Sequence, residues 1–177
     1  MSENNSATFA QEQMKIKPQI EEIIPNLLDG ELKDTSLEFV AYLRDKKRTP
    51  LYSSFNSWKI SYKSKLVCYI KIFNKMDRNV WGVAFRLEKF NSELSEGFKK
   101  AIQNNLKPCE NCLKACHKGV GLTVFEKEFV NICRGWPIQF VNPSTDVLEY
   151  VKELIEYREG LISTNTLPPP FFWNRNL

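Results

Sequence analysis

Four of the five cysteines in this 177-residue chain lie at a spacing typical of metal ligands. They are Cys109, Cys112, Cys116 and Cys133. Zinc takes four soft or imidazole ligands in a tetrahedron, and two cysteines separated by two residues can bind one ion through both thiolates. The pattern predicts a structural zinc site closed by four thiolates, without the open position that a catalytic zinc needs.

Other interpretations of the cysteine pattern stay open at this point. His117 could replace Cys116 as a ligand, although adjacent residues seldom both bind one ion. Thiolates also hold iron–sulfur clusters, and the cysteines could remain reduced without an ion or form a conditional disulfide. Cys68 lies within a predicted strand, where a small core residue is expected rather than a nucleophile. The chain begins without the features of an export signal, which favours a reducing cytoplasmic location and metal ligands over disulfides.

Basic residues are concentrated in the middle of the chain. Residues 44–89 hold twelve Lys or Arg and three acidic residues, whereas the whole chain has a net charge of +4. Such a region could attract an anion or could be a solvated sheet face. Because a binding cavity needs apolar walls and a few convergent polar groups, we expect a site for an anionic or aromatic small ligand here. The candidate residues are Trp58, Tyr62, Tyr69, Trp81 and Arg86. Packing in the core is the alternative for each of them.

The sequence shows no recognisable catalytic constellation. It has one histidine and no glycine-rich phosphate loop, so we expect a binding module rather than an enzyme. A nucleic-acid-associated regulatory factor is the first alternative. Its candidate phosphate contacts are Lys46, Lys47, Arg48, Lys59, Lys63 and Lys65. A thiol-based redox sensor or enzyme is the second alternative.

The elements that position these residues can be predicted from hydrophobic periodicity. Amphipathic spacing predicts about four helices, and Ser92 and Asn142 are the expected N-caps of the last two. The helical segments are residues 18–28, 32–46, 93–105 and the stretch after Pro143. Alternating residues predict an antiparallel meander, then a hairpin and one further strand. The strand segments are residues 58–63, 66–72, 80–87, 122–125, 129–133 and 136–141.

These elements predict an α+β fold with an antiparallel sheet of five or six strands packed by about four helices. We expect a disordered leader at residues 1–16 and a single domain at 17–162 that contains the cysteine-rich knuckle at 107–135. An extended Pro- and aromatic-rich tail at 163–177 could lie across its own domain or join a homodimer. No membrane partner is expected, because no apolar run approaches the roughly 20 residues that span a bilayer.

Several stretches between residues 20 and 161 resemble a group of small uncharacterised bacterial proteins. The stretches are 27–31, 39–44, Trp58 with 61–63, 67–71, the cysteine cluster, 127–129 and Asn142-Pro143. More loosely, the helix–helix–meander order is similar to iron-chaperone-like domains of unknown function, which generally lack this cysteine cluster. The resemblance implies the fold and the cysteine pattern, and it implies no activity and no functional residue.

Overall fold

A computed structural model describes residues 3–86, 90, 94–110 and 119–166, with side chains from residue 9 onward. Five helices and seven strands lie in this part of the chain. The helices are α1 (Glu3–Ile16), α2 (Ile20–Leu27), α3 (Gly30–Asp45), α4 (Glu96–Asn104) and α5 (Thr145–Ser163). The strands are β1 (Leu51–Ser54), β2 (Ser57–Tyr62), β3 (Lys65–Lys75), β4 (Arg78–Phe85), β5 (Val120–Val124), β6 (Lys127–Ile132) and β7 (Ile138–Val141).

The main sheet has five antiparallel strands in the order β1-β2-β3-β4-β7, and β5 and β6 form a separate two-stranded sheet. Tight turns join β2 to β3, β3 to β4 and β5 to β6. Both central residues of each turn have positive φ, as in Met76 and Asp77, which matches the right-handed twist of the strands they connect. The α+β class, the antiparallel sheet and the meander are therefore confirmed, while β1 was not predicted from the sequence.

The main sheet has one face covered by helices, which we call the core face. Alternate residues of β3, β4 and β7, such as Ile70, Trp81 and Phe140, point into an apolar cluster shared with α2, α3, α4 and α5. Phe39 of α3, for example, packs on Trp81 with ring centroids 5.8 Å apart. The other side of the sheet, which we call the open face, carries the intervening residues of the same strands.

Residues 105–109, which we call the linking segment, join the main sheet to the β5–β6 hairpin. Leu106 pairs with Ile138 on one side of this segment, and Pro108 pairs with Ile132 on the other, both in antiparallel fashion. Leu106 and Ile132 are both buried in the apolar cluster. The chain after α4 thus serves as a short strand between the two sheets.

Two predicted helix caps are replaced by neighbouring residues. Ser95 caps α4, because its hydroxyl accepts a hydrogen bond from the Phe98 amide at 3.2 Å; the expected cap, Ser92, lies outside the described residues. Ser144 occupies the N-cap of α5. Asn142 instead extends the pairing of β7 with β4, since its side-chain oxygen accepts from the Trp81 amide at 3.0 Å and its own amide donates to the Trp81 carbonyl.

The expected disordered leader at residues 1–16 differs from the structure, in which residues 3–16 form α1. Buried Gln13 anchors this helix by donating to the Asn56 side chain at 2.7 Å and accepting from the Asn56 amide at 3.0 Å. Phe9 makes an edge contact with Phe55 in the same turn. Composition alone did not reveal this anchoring because the partner turn lies some forty residues later.

Parts of the predicted knuckle at 107–135 and of the tail at 163–177 lie outside the described residues, which omit 111–118 and 167–177. No helix within the described ranges is both long enough and apolar enough to cross a bilayer. In the described part of the chain, helices thus cover the core face of the main sheet, and the open face lies opposite them.

Candidate ligand site and cysteine pair

Two aromatic side chains meet on the open face of the main sheet. Tyr69 projects from β3, and Trp136 lies in the loop that leads into β7. Their ring centroids are 4.7 Å apart, with the ring planes at 74°. Both side chains are half-buried. This edge-to-face contact forms an amphipathic platform, because it leaves π faces beside the polar Tyr hydroxyl and indole N–H.

Cationic side chains surround this aromatic pair. The Lys71 ammonium lies 5.5 Å from the Trp136 ring centroid and 5.9 Å from that of Tyr69. The Arg86 guanidinium carbon lies 5.5 Å from the Trp136 ring centroid. Exposed Lys59 sits directly opposite Tyr69 on β2. Each cation–π contact is worth about 0.5–1 kcal/mol at exposed sites. We call Tyr69, Lys71, Arg86 and Trp136 the aromatic–basic cluster.

Small residues of β4 form the floor next to the aromatic–basic cluster. Gly82 lies between Lys71 of β3 and Val141 of β7, and Ala84 lies between Tyr69 and Gln139. A Cβ atom on Gly82 would come within 2.6 Å of the Phe140 carbonyl oxygen, so only glycine permits this close pairing. Gly82 and Ala84 are both buried, so the larger side chains of the flanking strands form the accessible surface beside them.

The structure brings together two of the five predicted ligand residues, Tyr69 and Arg86. Trp58 and Trp81 lie on the core face and are completely buried. The Trp58 indole donates to the Pro18 carbonyl at 3.0 Å, so its polar group is satisfied inside the protein. Both tryptophans are core residues, which was the alternative interpretation, and we exclude them from the candidate site.

Tyr62, the fifth predicted residue, belongs to a different surface at the end of β2. The Arg48 guanidinium lies 4.6 Å over its ring, and the Ser163 hydroxyl donates to the Tyr62 hydroxyl at 3.3 Å. The contacts connect α3, β2 and α5. Tyr62 therefore has a structural role in joining these elements and does not extend the aromatic–basic cluster.

Trp136 was missed as a candidate because the sequence placed it at the start of a predicted strand. In a strand, successive side chains from residue 136 onward point to alternate faces of the sheet. Nothing in that alternation indicates a contact with β3. The only signal available was a large aromatic residue next to the Arg134-Gly135 turn. Its contact with Tyr69 depends on β7 pairing with β4, which is a long-range feature of the sheet.

The basic residues proposed for nucleic-acid contact are divided between two locations. Arg48 forms a two-pronged ion pair with Glu159, with Nη2 to Oε2 at 2.6 Å, and Lys46 pairs with Glu156 at 3.1 Å. These pairs connect the segment directly after α3 with α5 and neutralise both cations. Lys59 alone among the six lies on the open face beside Tyr69.

Two of the four predicted zinc ligands lie in the described part of the chain, and the linking segment makes them neighbours. The Cys109 amide donates to the Asn131 carbonyl at 2.6 Å, and the Cys133 amide donates to the Lys107 carbonyl at 2.8 Å. Cys109 and Cys133 are therefore diagonal neighbours on one face of an antiparallel pair. Such residues are roughly 7–8 Å apart between Cα atoms, so both thiolates could reach one ion.

The two thiols occupy an environment different from that of Cys68. Cys109 and Cys133 are each 7% exposed, yet neither belongs to the apolar cluster, whereas Cys68 does. Burial strongly raises the pKa of the Cys68 thiol, against the opposing effect of the Arg158 guanidinium. Cys68 is therefore a core residue, as predicted, with a thiol that resists ionisation.

Asn131 anchors both ends of the chain stretch that carries the other two predicted ligands. Its side-chain amide donates to the Cys109 carbonyl at 3.3 Å. Gly119 lies so close that a Cβ atom there would be 2.6 Å from the Asn131 carbonyl carbon. Cys109 and Gly119, the described residues on either side of this stretch, therefore both lie close to Asn131.

Cys112, Cys116 and His117 lie outside the described residues. Within the described ranges, no group of three or more His, Cys, Asp or Glu side chains could hold a metal ion. The described geometry therefore supplies two adjacent thiols, which is half of the predicted ligand set.

Comparison with protein-family models, with curated proteins and with solved structures finds no match for this chain.

Proposed function

We propose that this protein is a binding module that holds an anionic aromatic small molecule on the open face of its main sheet. The aromatic–basic cluster is the observation that supports this proposal most strongly. Trp136 and Tyr69 offer π surface, while Lys71 and Arg86 offer charge within 5.5 Å of the Trp136 ring centroid. A ligand that is both aromatic and anionic satisfies both features at once.

The charge distribution around the cluster fits an anion. Within the described ranges, neither Arg86 nor Lys59 makes an ion pair with a carboxylate. By contrast, Lys46 and Arg48 on the helical side are paired with glutamates. The open face therefore keeps positive charge available, and desolvation of the ligand on Trp136 would strengthen its attraction to the guanidinium.

Ligand-observed NMR with adenosine monophosphate and pyrene tetrasulfonate tests the proposal, because both probes are anionic and aromatic. We expect at least one probe to bind the full chain. Trp136→Ala should weaken that binding about tenfold or more, as buried aromatic anchors do. Arg86→Ala should weaken it less, because a partly solvated charge contributes less.

Lys46→Ala is the matched control, since Lys46 also lies over an aromatic ring, that of Tyr42 at 5.9 Å, but on the helical side of the molecule. This variant removes the same charge and should leave probe affinity unchanged. Absence of binding by both probes at millimolar concentration, or equal effects of Lys46→Ala and Arg86→Ala, would contradict the proposal.

We also propose that Cys109, Cys112, Cys116 and Cys133 hold a structural zinc ion. The adjacency of Cys109 and Cys133, and their burial outside the apolar cluster, support this proposal. Two residues separate Cys112 from Cys109 in sequence, and two separate Cys116 from Gly119, so both thiols are within reach of the pair. Four thiolates would close the coordination sphere and stabilise the local backbone rather than bind a substrate.

Elemental analysis of protein purified without added metal tests the zinc proposal. About one zinc ion per chain is expected, as for other four-cysteine sites. Cys109→Ser and Cys133→Ser should each lose the metal, whereas Cys68→Ala should retain it. Iron in place of zinc would favour the iron–sulfur alternative, and metal-free protein with reactive thiols would favour a redox sensor.

Single-stranded nucleic acid is the second candidate ligand for the open face. Lys59 beside Tyr69 is the observation that favours it, because it extends the basic surface across a neighbouring strand. Aromatic side chains on an open sheet can stack bases, while cations contact phosphates. An oligothymidylate that binds more tightly than adenosine monophosphate, with affinity falling steeply as salt rises, would support this candidate over a small ligand.

A further inference from the structure

The loop that presents Trp136 has both ends fixed to one residue of the linking segment. The Cys133 amide donates to the Lys107 carbonyl at 2.8 Å, and the Lys107 amide donates to the Pro137 carbonyl at 2.7 Å. The backbone of Lys107 thus closes the loop at residues 133–137. Trp136 sits inside this closed loop, and two residues separate it from Cys133.

The same linking segment carries Cys109. Its amide and carbonyl both bond to Asn131, and Pro108 pairs with Ile132. A change in the distance between Cys109 and Cys133 would therefore shift the linking segment against the end of β6. Because backbone hydrogen bonds to Lys107 hold both ends of the Trp136 loop, that shift would also move the Trp136 indole.

We propose that the thiol pair Cys109–Cys133 positions Trp136, so that the state of the thiols controls binding on the open face. This inference rests on the proposed function. A metal ion shared by the two thiols would fix the loop, and loss of the ion would release it. Ligand affinity and metal affinity would then be coupled, and by thermodynamic linkage each ligand would tighten the other by the same factor.

Fluorine NMR of the full chain containing fluorotryptophan tests the coupling without any ligand. The Trp136 resonance is assigned with Trp136→Phe. We expect that chelation, or Cys133→Ala, shifts or broadens the Trp136 resonance. The resonances of Trp58 and Trp81 should stay unchanged, because both are buried in the apolar cluster on the opposite face of the sheet. They also report that the variant is folded.

Cys68→Ala is the matched control, because it removes a buried cysteine from the core face of β3. It should not move the Trp136 resonance. If Cys133→Ala fails to fold, Cys109→Ala provides the same test from the other side of the pair. A Trp136 resonance that is insensitive both to chelation and to the folded Cys109→Ala or Cys133→Ala variant would overturn the coupling.

Probe affinity distinguishes failure of the coupling from failure of the proposed function. We expect pyrene tetrasulfonate to bind the metal-free protein at least about fivefold more weakly, a change typical of modest coupling energies. Suppose that pyrene tetrasulfonate binds equally well with and without metal, while Trp136→Ala still weakens its binding. That result would overturn the coupling and leave the open-face site intact. A shifted Trp136 resonance without any probe binding would support the coupling and refute the proposed ligand.

Discussion

Gly119 and Asn131 show how single residues fix the geometry around the cysteine pair. Asn131 has a positive φ of 57°, a conformation that asparagine tolerates better than most residues. Its backbone lies against Gly119 and accepts the Cys109 amide. The close approach of residue 119 requires glycine, because a Cβ atom there would collide with the Asn131 backbone.

Gly119→Ala should destabilise the protein by about 1–3 kcal/mol, because the added methyl group meets backbone that cannot move aside cheaply. Gly160→Ala is the matched control. Gly160 lies within α5, and nothing in the described residues approaches its Cβ position within 4 Å. That variant should stabilise the helix by about 0.5–1 kcal/mol. Urea unfolding measures both values, and equal effects of the two variants would contradict this account.

The Cys68 thiol should react slowly with iodoacetamide in the folded protein and quickly after unfolding. Burial raises its pKa, so the reactive thiolate is scarce at neutral pH. Mass spectrometry of labelled peptides, with and without denaturant, measures the two rates. Rapid native-state labelling of Cys68 would show that it is not the inert core residue described above.

At the scale of elements, hydrophobic periodicity predicted those helices and strands whose apolar spacing is evident within their own stretch of sequence. α2, α3 and the β2–β3–β4 meander follow directly from apolar spacing, and their turns carry polar residues. The sequence could not predict the linking segment, since Leu106 and Pro108 look like the end of a helix. Their pairing with β7 and β6 depends on long-range register, as does the meeting of Trp136 with Tyr69.

Helix α1 illustrates an element that depends on one buried polar residue. Gln13→Ala should remove both hydrogen bonds to Asn56 and leave a buried amide group unsatisfied, at a cost of about 1–3 kcal/mol. Hydrogen exchange should show faster exchange in α1, with little change in β3 and β4. Glu12→Ala, at an exposed neighbouring position, is the control and should leave exchange in α1 close to that of the original protein.

Two ion pairs of unequal burial join the segment directly after α3 to α5. The side chains of Arg48 and Glu159 are 20% and 14% exposed, whereas those of Lys46 and Glu156 are 55% and 56% exposed. Glu159→Gln should therefore lower the free energy of unfolding by about 1–3 kcal/mol, because it leaves a largely buried guanidinium without its counter-charge. Glu156→Gln should change it by less than about 0.5 kcal/mol. A larger effect of Glu156→Gln in urea unfolding would contradict this ranking.

At the scale of the whole molecule, the described helices cover one face of the main sheet, and the ligand site that we propose lies on the other. The helices cover the core face and bury Trp58 and Trp81, which are two of the residues that the sequence suggested as ligand contacts. Composition could not separate core aromatics from surface aromatics, because both occur in alternating strands. The register of β3, β4 and β7 makes this distinction and places Tyr69 with Arg86 and Trp136.

Amide chemical-shift mapping of the full chain during titration with pyrene tetrasulfonate tests the central claim most directly. The account predicts that the shifts cluster at Tyr69, Lys71, Arg86 and the loop at 133–137, and that they include the Trp136 indole N–H. The helices α2, α3 and α5 should remain unchanged. Shifts confined to the helical side, or no shifts at millimolar probe, would contradict the assignment of the open face as the binding surface.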